Sequence, residues 1–143
     1  MNIYRLWPRH GTFSIAACLV ILATALPGIA SASPTPETAE AIEYLIAGVA
    51  DSGLTFIRNG KRYTGSDAAE HMRKKYEYFD DDIASAEDFI RLAASRSLIS
   101  GKAYYVVLGD GTRTKTADWL GARLDEYRQR QAALQPKETT ADD

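Results

Sequence analysis

The chain has 143 residues, 45% of them hydrophobic and 25% charged, with a formal net charge of −2. That size and balance describe one globular domain and exclude a multidomain enzyme, a collagen-like repeat and a low-complexity polymer. A single cysteine excludes a small scaffold held together by its own disulfides.

The N-terminus departs from this average. Arg5 and Arg9 precede any carboxylate, a nearly unbroken apolar run fills residues 13–26, Pro27 and Gly28 interrupt it, and Ala30-Ser31-Ala32 follows. This order is that of a secretory signal peptide over residues 1–32, with cleavage expected after Ala32. An uncleaved anchor is a second reading, but it needs about 18 apolar residues, reached here only by counting through Pro27 and Gly28. A lipoprotein signal at Ile15-Ala16-Ala17-Cys18 is a third, yet the apolar run continues past Cys18 instead of giving way to a polar tether. Removing residues 1–32 leaves 111 residues with 15 basic and 19 acidic side chains, a net charge of about −4, and no cysteine. The expected location is periplasmic or secreted, with no stable membrane anchor after cleavage and with stability resting on the core alone.

Residues 33–36 read as a short linker into a single domain over residues 37–134. Thr35 is placed to cap a first helix with Pro36 at its first position. Ile42, Leu45, Ile46 and Val49 form one apolar stripe at helical spacing. Glu37, Glu40 and Glu43 sit in the early turns, where the helix dipole favours negative charge, and Gly53 is placed to end the helix. Residues 54–58 and 61–64 flank Asn59-Gly60, a pair suited to the positive φ angles of a type I′ turn, and so predict a β-hairpin carrying Phe56 and Tyr63.

A second helix is predicted over residues 67–78, capped by Thr64 or Ser66, with Ala69, Met72 and Tyr76 inward and Asp80-Asp81-Asp82 ending it. Ser85 and Asp88 have the spacing of a loose capping box for a third helix that turns Ala86, Phe89, Ile90 and Ala93 inward. Residues 97–102 form a loop around Gly101, and residues 103–108 have the composition of a strand. Gly109-Asp110-Gly111 turns the chain into residues 112–116, a short strand or a loop. A last helix over residues 117–134 places Leu120, Leu124 and Tyr127 inward, and residues 135–143 are expected to be a disordered polar tail. The fold class is α+β: a small antiparallel sheet, the hairpin plus one or two further strands, packed against about four helices.

His71 is the one histidine beyond the leader and lies four residues after Asp67, a spacing at which a carboxylate can meet an imidazole on one helix face. A catalytic reading would join His71 to Ser95 or Ser97, although neither serine sits in an elbow motif. A second reading is cationic. Arg58, Lys61 and Arg62 surround the hairpin turn, and Arg73, Lys74 and Lys75 follow His71. A hairpin packed on the second helix would join them into a patch for a carboxylate, a phosphate or an anionic glycan, with Arg58, Asn59, His71, Arg73, Lys102 and Tyr104 as the ligand-binding set. The plainer alternative is a solvated face crossed by the i,i+4 pairs Glu70–Lys74, Glu87–Arg91 and Glu126–Arg130.

Asp80-Asp81-Asp82 lacks the alternating acids and the glycine of a calcium loop, and no metal is expected there. Gly101-Lys102 lacks the upstream glycine and the following Ser or Thr of a phosphate loop. Tyr104, Tyr105 and Tyr127 suit either a pocket wall or a core edge. No cofactor is expected, and an acidic domain without an aromatic–basic motif argues against nucleic acid as a partner.

Five segments together carry a resemblance. Phe56-Ile57-Arg58-Asn59-Gly60, His71-Met72-Arg73, Ser85-Ala86-Glu87-Asp88-Phe89-Ile90, Ala94-Ser95-Arg96-Ser97 and Ser100-Gly101-Lys102-Ala103-Tyr104 resemble the YfeK-like family of small exported bacterial proteins with a domain of unknown function. The likeness spans residues 42–124, with Ala103 standing where it leads one to expect proline. It implies a bacterial, periplasmic single-domain protein and brings no catalytic residue with it. The expectation is therefore a non-enzymatic binding or interaction module for an anionic envelope ligand or a protein partner. A small hydrolase using His71 with Ser95 or Ser97, and a structural subunit of an envelope complex, are the alternatives.

Overall fold

The computed structural model describes residues 34–135. The expected leader, its cleavage site and residues 136–143 of the polar tail lie outside the described residues. Helix α1 (Pro36–Ala50) begins as its sequence dictates: Thr35 is extended, its hydroxyl accepts from the Thr38 amide at 3.2 Å, and Pro36 opens the helix. Ile42, Leu45, Ile46 and Val49 are all fully buried along its inner face.

Strands β1 (Thr55–Arg58) and β2 (Lys61–Tyr63) form the hairpin. Asn59 and Gly60 take φ angles of 51° and 81°, the left-handed pair a type I′ turn requires. Helix α2 (Gly65–Tyr78) starts two residues before the expected Asp67 because Thr64 takes the cap. Its hydroxyl accepts from the Asp67 amide at 3.1 Å while the Asp67 carboxylate accepts from the Thr64 amide at 3.2 Å, closing a capping box. Gly65 is required where this start meets the end of α1, since a Cβ there would lie 2.3 Å from the Val49 carbonyl oxygen.

The expected third helix is divided. After a 3₁₀ turn at Asp80–Asp82, helix α3 (Ala86–Phe89) makes one α turn and passes into a π turn at Ile90–Ala94. The wider π register brings the adjacent Ala93 and Ala94 both into the core, and Ala86, Phe89 and Ile90 face inward as expected. Strand β3 (Tyr105–Val107) is shorter than residues 103–108. Ala103 instead forms an isolated bridge with Arg96, and the Leu108 amide closes onto the Thr112 carbonyl at 2.8 Å. Residues 113–115 form a fourth strand, β4 (Arg113–Lys115), and helix α4 (Thr116–Leu134) follows one residue earlier than expected.

The sheet has the order β2-β1-β3-β4 with every neighbour antiparallel. Phe56 pairs with Tyr63 on one side and Val106 on the other, and Val106 pairs with Thr114. Phe56 and Val106 are buried against the helices, while Thr55, Ile57, Tyr105 and Val107 alternate onto a half-exposed outer face. The helical side completes the core with α1, Phe89, Ile83, Leu120 and Leu124. The observed architecture is the α+β class expected: helices covering one face of a small antiparallel sheet.

Of the three expected i,i+4 surface pairs, one forms. Lys74 meets Glu70 at 2.6 Å on α2. The expected Glu87–Arg91 pair does not form, because the chain leaves α geometry after Phe89. Glu87 reaches Arg128 on α4 at 2.6 Å and Arg91 turns to Asp88 at 2.8 Å. The expected Glu126–Arg130 carboxylate pair is replaced as well: Arg130 donates to the Glu126 backbone carbonyl and to the Tyr44 hydroxyl on α1.

Candidate anion-binding site

The hairpin, helix α2 and the segment entering β3 meet around Tyr104, which is 6% exposed. His71 projects from the middle of α2, and its Nε2 shares a 3.2 Å hydrogen bond with the Tyr104 hydroxyl. The Ser97 hydroxyl, in the turn just before Tyr104, accepts from the Ser100 amide at 3.3 Å. Asn59 ties the hairpin turn to this corner: its Nδ2 donates to the Ser97 oxygen at 3.4 Å and its Oδ1 accepts from the Ser100 hydroxyl at 2.7 Å. Beside them, Lys75 is 5% exposed, its ammonium donates to the Arg96 carbonyl at 2.9 Å, and the same nitrogen lies 5.5 Å from the centre of the Tyr104 ring. Arg58 places its guanidinium carbon 4.4 Å from the centre of the Tyr63 ring.

A narrow pocket of about 20 Å³ opens beside Arg58, His71 and Tyr104, with Phe56, Tyr63, Met72 and Thr116 among its walls, while Lys75 and Ser97 lie outside it. That is room for one water or one small group. Thr116 is fully buried, and its hydroxyl has no hydrogen-bond partner among the described residues.

Charge in this corner is one-sided. Burial, reinforced by the Arg58, Lys75 and Lys74 cations, pushes the His71 imidazole down to about 4, so it is neutral at pH 7. Burial, with Arg96 and Arg58 nearby, pushes the Lys75 ammonium down to about 8. Burial raises the Tyr104 phenol, with Arg58 opposing it. Among the described residues neither Arg58, Lys75 nor Arg96 makes an ion pair with a carboxylate. A buried lysine held by a backbone carbonyl and the Tyr104 ring, with Arg96 and Arg58 nearby, is an unneutralised charge in a poorly solvated place.

The residues singled out in the sequence are sorted by this geometry. Arg58, Asn59, His71, Tyr104 and Ser97 converge. Arg73 does not join them: two positions from His71 on α2, it points to α1 and binds both oxygens of Glu43 at 2.8 and 2.9 Å. Lys102 is exposed on the adjoining loop, where its carbonyl accepts from the Ser97 amide at 3.0 Å. Ser95 faces back into its own turn, donating to the Arg91 carbonyl at 2.5 Å. The Asp67 carboxylate is spent on the Thr64 cap, so the i,i+4 acid–imidazole pair is not made. His71 is bonded to the Tyr104 hydroxyl and Ser97 to Asn59 and Ser100, so the imidazole and the serine hydroxyl have separate partners.

The model of the Family of unknown function (DUF5329) matches residues 36–128. The chain belongs to that family. It is also 36% identical over 90 residues to "Uncharacterized protein YfeK" of Salmonella typhimurium (strain LT2), an overlap covering 63% of this chain and 74% of that one. No solved structure matches the chain. The family span runs from the first residue of α1 into α4 and so contains every residue of the Tyr104 corner.

Lys75 belongs to the cationic patch expected from the sequence but not to the ligand-binding set, and Thr116 belongs to neither. Lys75 carried a signal, since it lies three residues after Met72 on the face that also holds Ala69, where an apolar side chain belongs. Thr116 carried none, because its burial arises only when β4 and α4 close over the hairpin. Among the described residues no three His, Cys, Asp or Glu side chains gather in a metal-binding group. Chemically, the corner offers an ammonium, a guanidinium, a phenol and a serine hydroxyl around a neutral imidazole, a set of donors suited to an oxyanion.

Proposed function

We propose that this domain is a binding module whose ligand presents a carboxylate or phosphate to Arg58, Lys75, His71 and Tyr104. The observation that carries the reading is Lys75: a residue 5% exposed, its ammonium bonded to a carbonyl, with arginines nearby and no carboxylate paired with it. Such a charge is unfavourable in the free protein, and an incoming anion supplies the missing partner. Binding should then raise the proton affinity of Lys75 and weaken as pH climbs through 8, when the unliganded ammonium deprotonates. Titration with inorganic phosphate, followed by NMR of the Lys75 and His71 side chains, tests this. Lys75→Met and Arg58→Gln should each lower affinity by about tenfold, the scale of a lost charge-assisted hydrogen bond. Phosphate shifts left unchanged by both substitutions would refute it.

We further propose that the module works outside the cytoplasm, on the strength of the basic, apolar and Ala-Ser-Ala order of residues 1–32. N-terminal sequencing of protein recovered from the periplasm should begin at Ser33. A chain that retains Met1 would overturn the proposed cleavage.

A further inference from the structure

The loop between the π turn and β3 carries two aliphatic side chains away from the protein. Ile99 is 100% exposed and Leu98 is 58% exposed. They are held out by a closed backbone: the Ser97 amide donates to the Lys102 carbonyl at 3.0 Å and the Gly101 amide to the Ser97 carbonyl at 2.9 Å. Gly101 permits the tight return with a φ of 68°. The Asn59 amide then fastens the loop to the hairpin turn through Ser97 and Ser100. Ordering two aliphatic side chains in water brings no burial in return, so this tip is built to be covered by something.

The surroundings indicate what. Arg96 and Lys102 flank the tip in sequence, and Lys61 follows the turn that Asn59 joins to it. All three are exposed, and none pairs with a carboxylate among the described residues. Lysines such as Lys61 and Lys102 are depleted at protein–protein interfaces, whereas shallow entry into a lipid surface combines a few aliphatic side chains with cations at headgroup level. The same loop runs into Tyr104 and is tied to Asn59 through Ser97, so tip and anion site share one end of the domain. Among the described residues no helix is long and apolar enough to cross a membrane.

We infer that Leu98 and Ile99 enter the surface of a bilayer containing anionic phospholipid, and that the oxyanion held by Arg58 and Lys75 is the phosphate of a headgroup in that surface. This rests on the anion-site reading and names its ligand.

The test uses the purified protein in two parallel arms. One is co-sedimentation with vesicles of phosphatidylcholine, alone or mixed with phosphatidylglycerol. The other is NMR titration with inorganic phosphate. The protein should sediment with the mixed vesicles only. The double substitution Leu98→Ser and Ile99→Ser should weaken that association by about tenfold or more, as loss of the inserted groups demands, and leave the phosphate shifts unchanged. Both side chains are exposed, so an unchanged thermal unfolding curve confirms that the variant is folded.

Phosphate shifts without vesicle association would overturn the lipid assignment and leave the anion site standing. Association that survives loss of both tip side chains would overturn it as well. So would a dimer in buffer that the double substitution dissociates, which would assign the tip to a second copy of the chain. Absence of phosphate shifts at Lys75 and His71 would refute the anion site itself, and with it the placement of the headgroup.

Discussion

Lys75→Met keeps an unbranched apolar stem inside the α2–π-turn contact and removes only the ammonium. In the folded protein that ammonium titrates near 8 against an ordinary 10.5. At about 1.4 kcal/mol per pKa unit the fold therefore gives up about 3 kcal/mol by carrying the charged form at pH 7. The sign follows from proton counting. Between pH 8 and 10.5 the unfolded chain holds this proton and the folded chain does not, so native stability rises with pH through that window and is lowest below it. Methionine abolishes the charge cost but leaves the Arg96 carbonyl without its 2.9 Å donor, a loss of about 1–2 kcal/mol. The net expectation is a variant about 1–2 kcal/mol more stable than the native protein at pH 7. Urea unfolding at pH 7 and pH 10 measures it, and the advantage of the variant should shrink toward the higher pH. A variant less stable at pH 7, or an advantage unchanged by pH, would refute the view of Lys75 as an uncompensated buried charge. Together with weaker phosphate binding, a more stable variant would be a binding site kept at the expense of stability.

His71 should make the native protein acid-sensitive: its imidazole titrates near 4 when folded and near 6.5 when unfolded, so stability is complete above pH 6.5 and is lost as pH falls through 4. Urea unfolding should show a decline of up to about 2 kcal/mol over that range after allowance for partial solvent screening, and His71→Gln should flatten it. Gly65→Ala should destabilise by about 2–4 kcal/mol, because the new methyl collides with the Val49 and Ala50 carbonyls that end α1. Gly121→Ala, in the interior of α4 with open space around its Cβ position, should instead stabilise by about 1 kcal/mol, and urea unfolding measures both glycine variants.

What was legible in the residues is what depends on near neighbours. Asn59-Gly60 is the clearest case, since both residues take the left-handed conformation their chemistry favours. Thr35, Thr64 and Ser85 cap their helices through side chains acting three residues ahead. The regular α2 keeps Lys74 on Glu70, but the chain after Phe89 widens into a π turn and its i,i+4 pairing fails. Sequence spacing assumes an unbroken α register, and only the packing of Ile90, Ala93 and Ala94 into the core shows where that register is abandoned.

The site divides along the same line. Arg58, Asn59, His71 and Tyr104 could be named because their side-chain chemistry stands out, and tertiary contacts gather them with Ser97. Arg73 looks equally apt in the sequence, yet it faces α1 and binds Glu43, a partner thirty positions away. Lys75 looks like one more surface cation, and becomes the defining charge only because its slot on α2 faces the Arg96 turn.

An ordinary globular composition, the α+β class and the local turns and caps were therefore determined by the sequence itself, through propensities and contacts a few residues long. The strand order β2-β1-β3-β4, the burial of Lys75 and Thr116, and the pairing of charges across helices were decided only in three dimensions. Burial and charge balance are sums over groups far apart in the chain, and they acquire values only once the fold has brought those groups together.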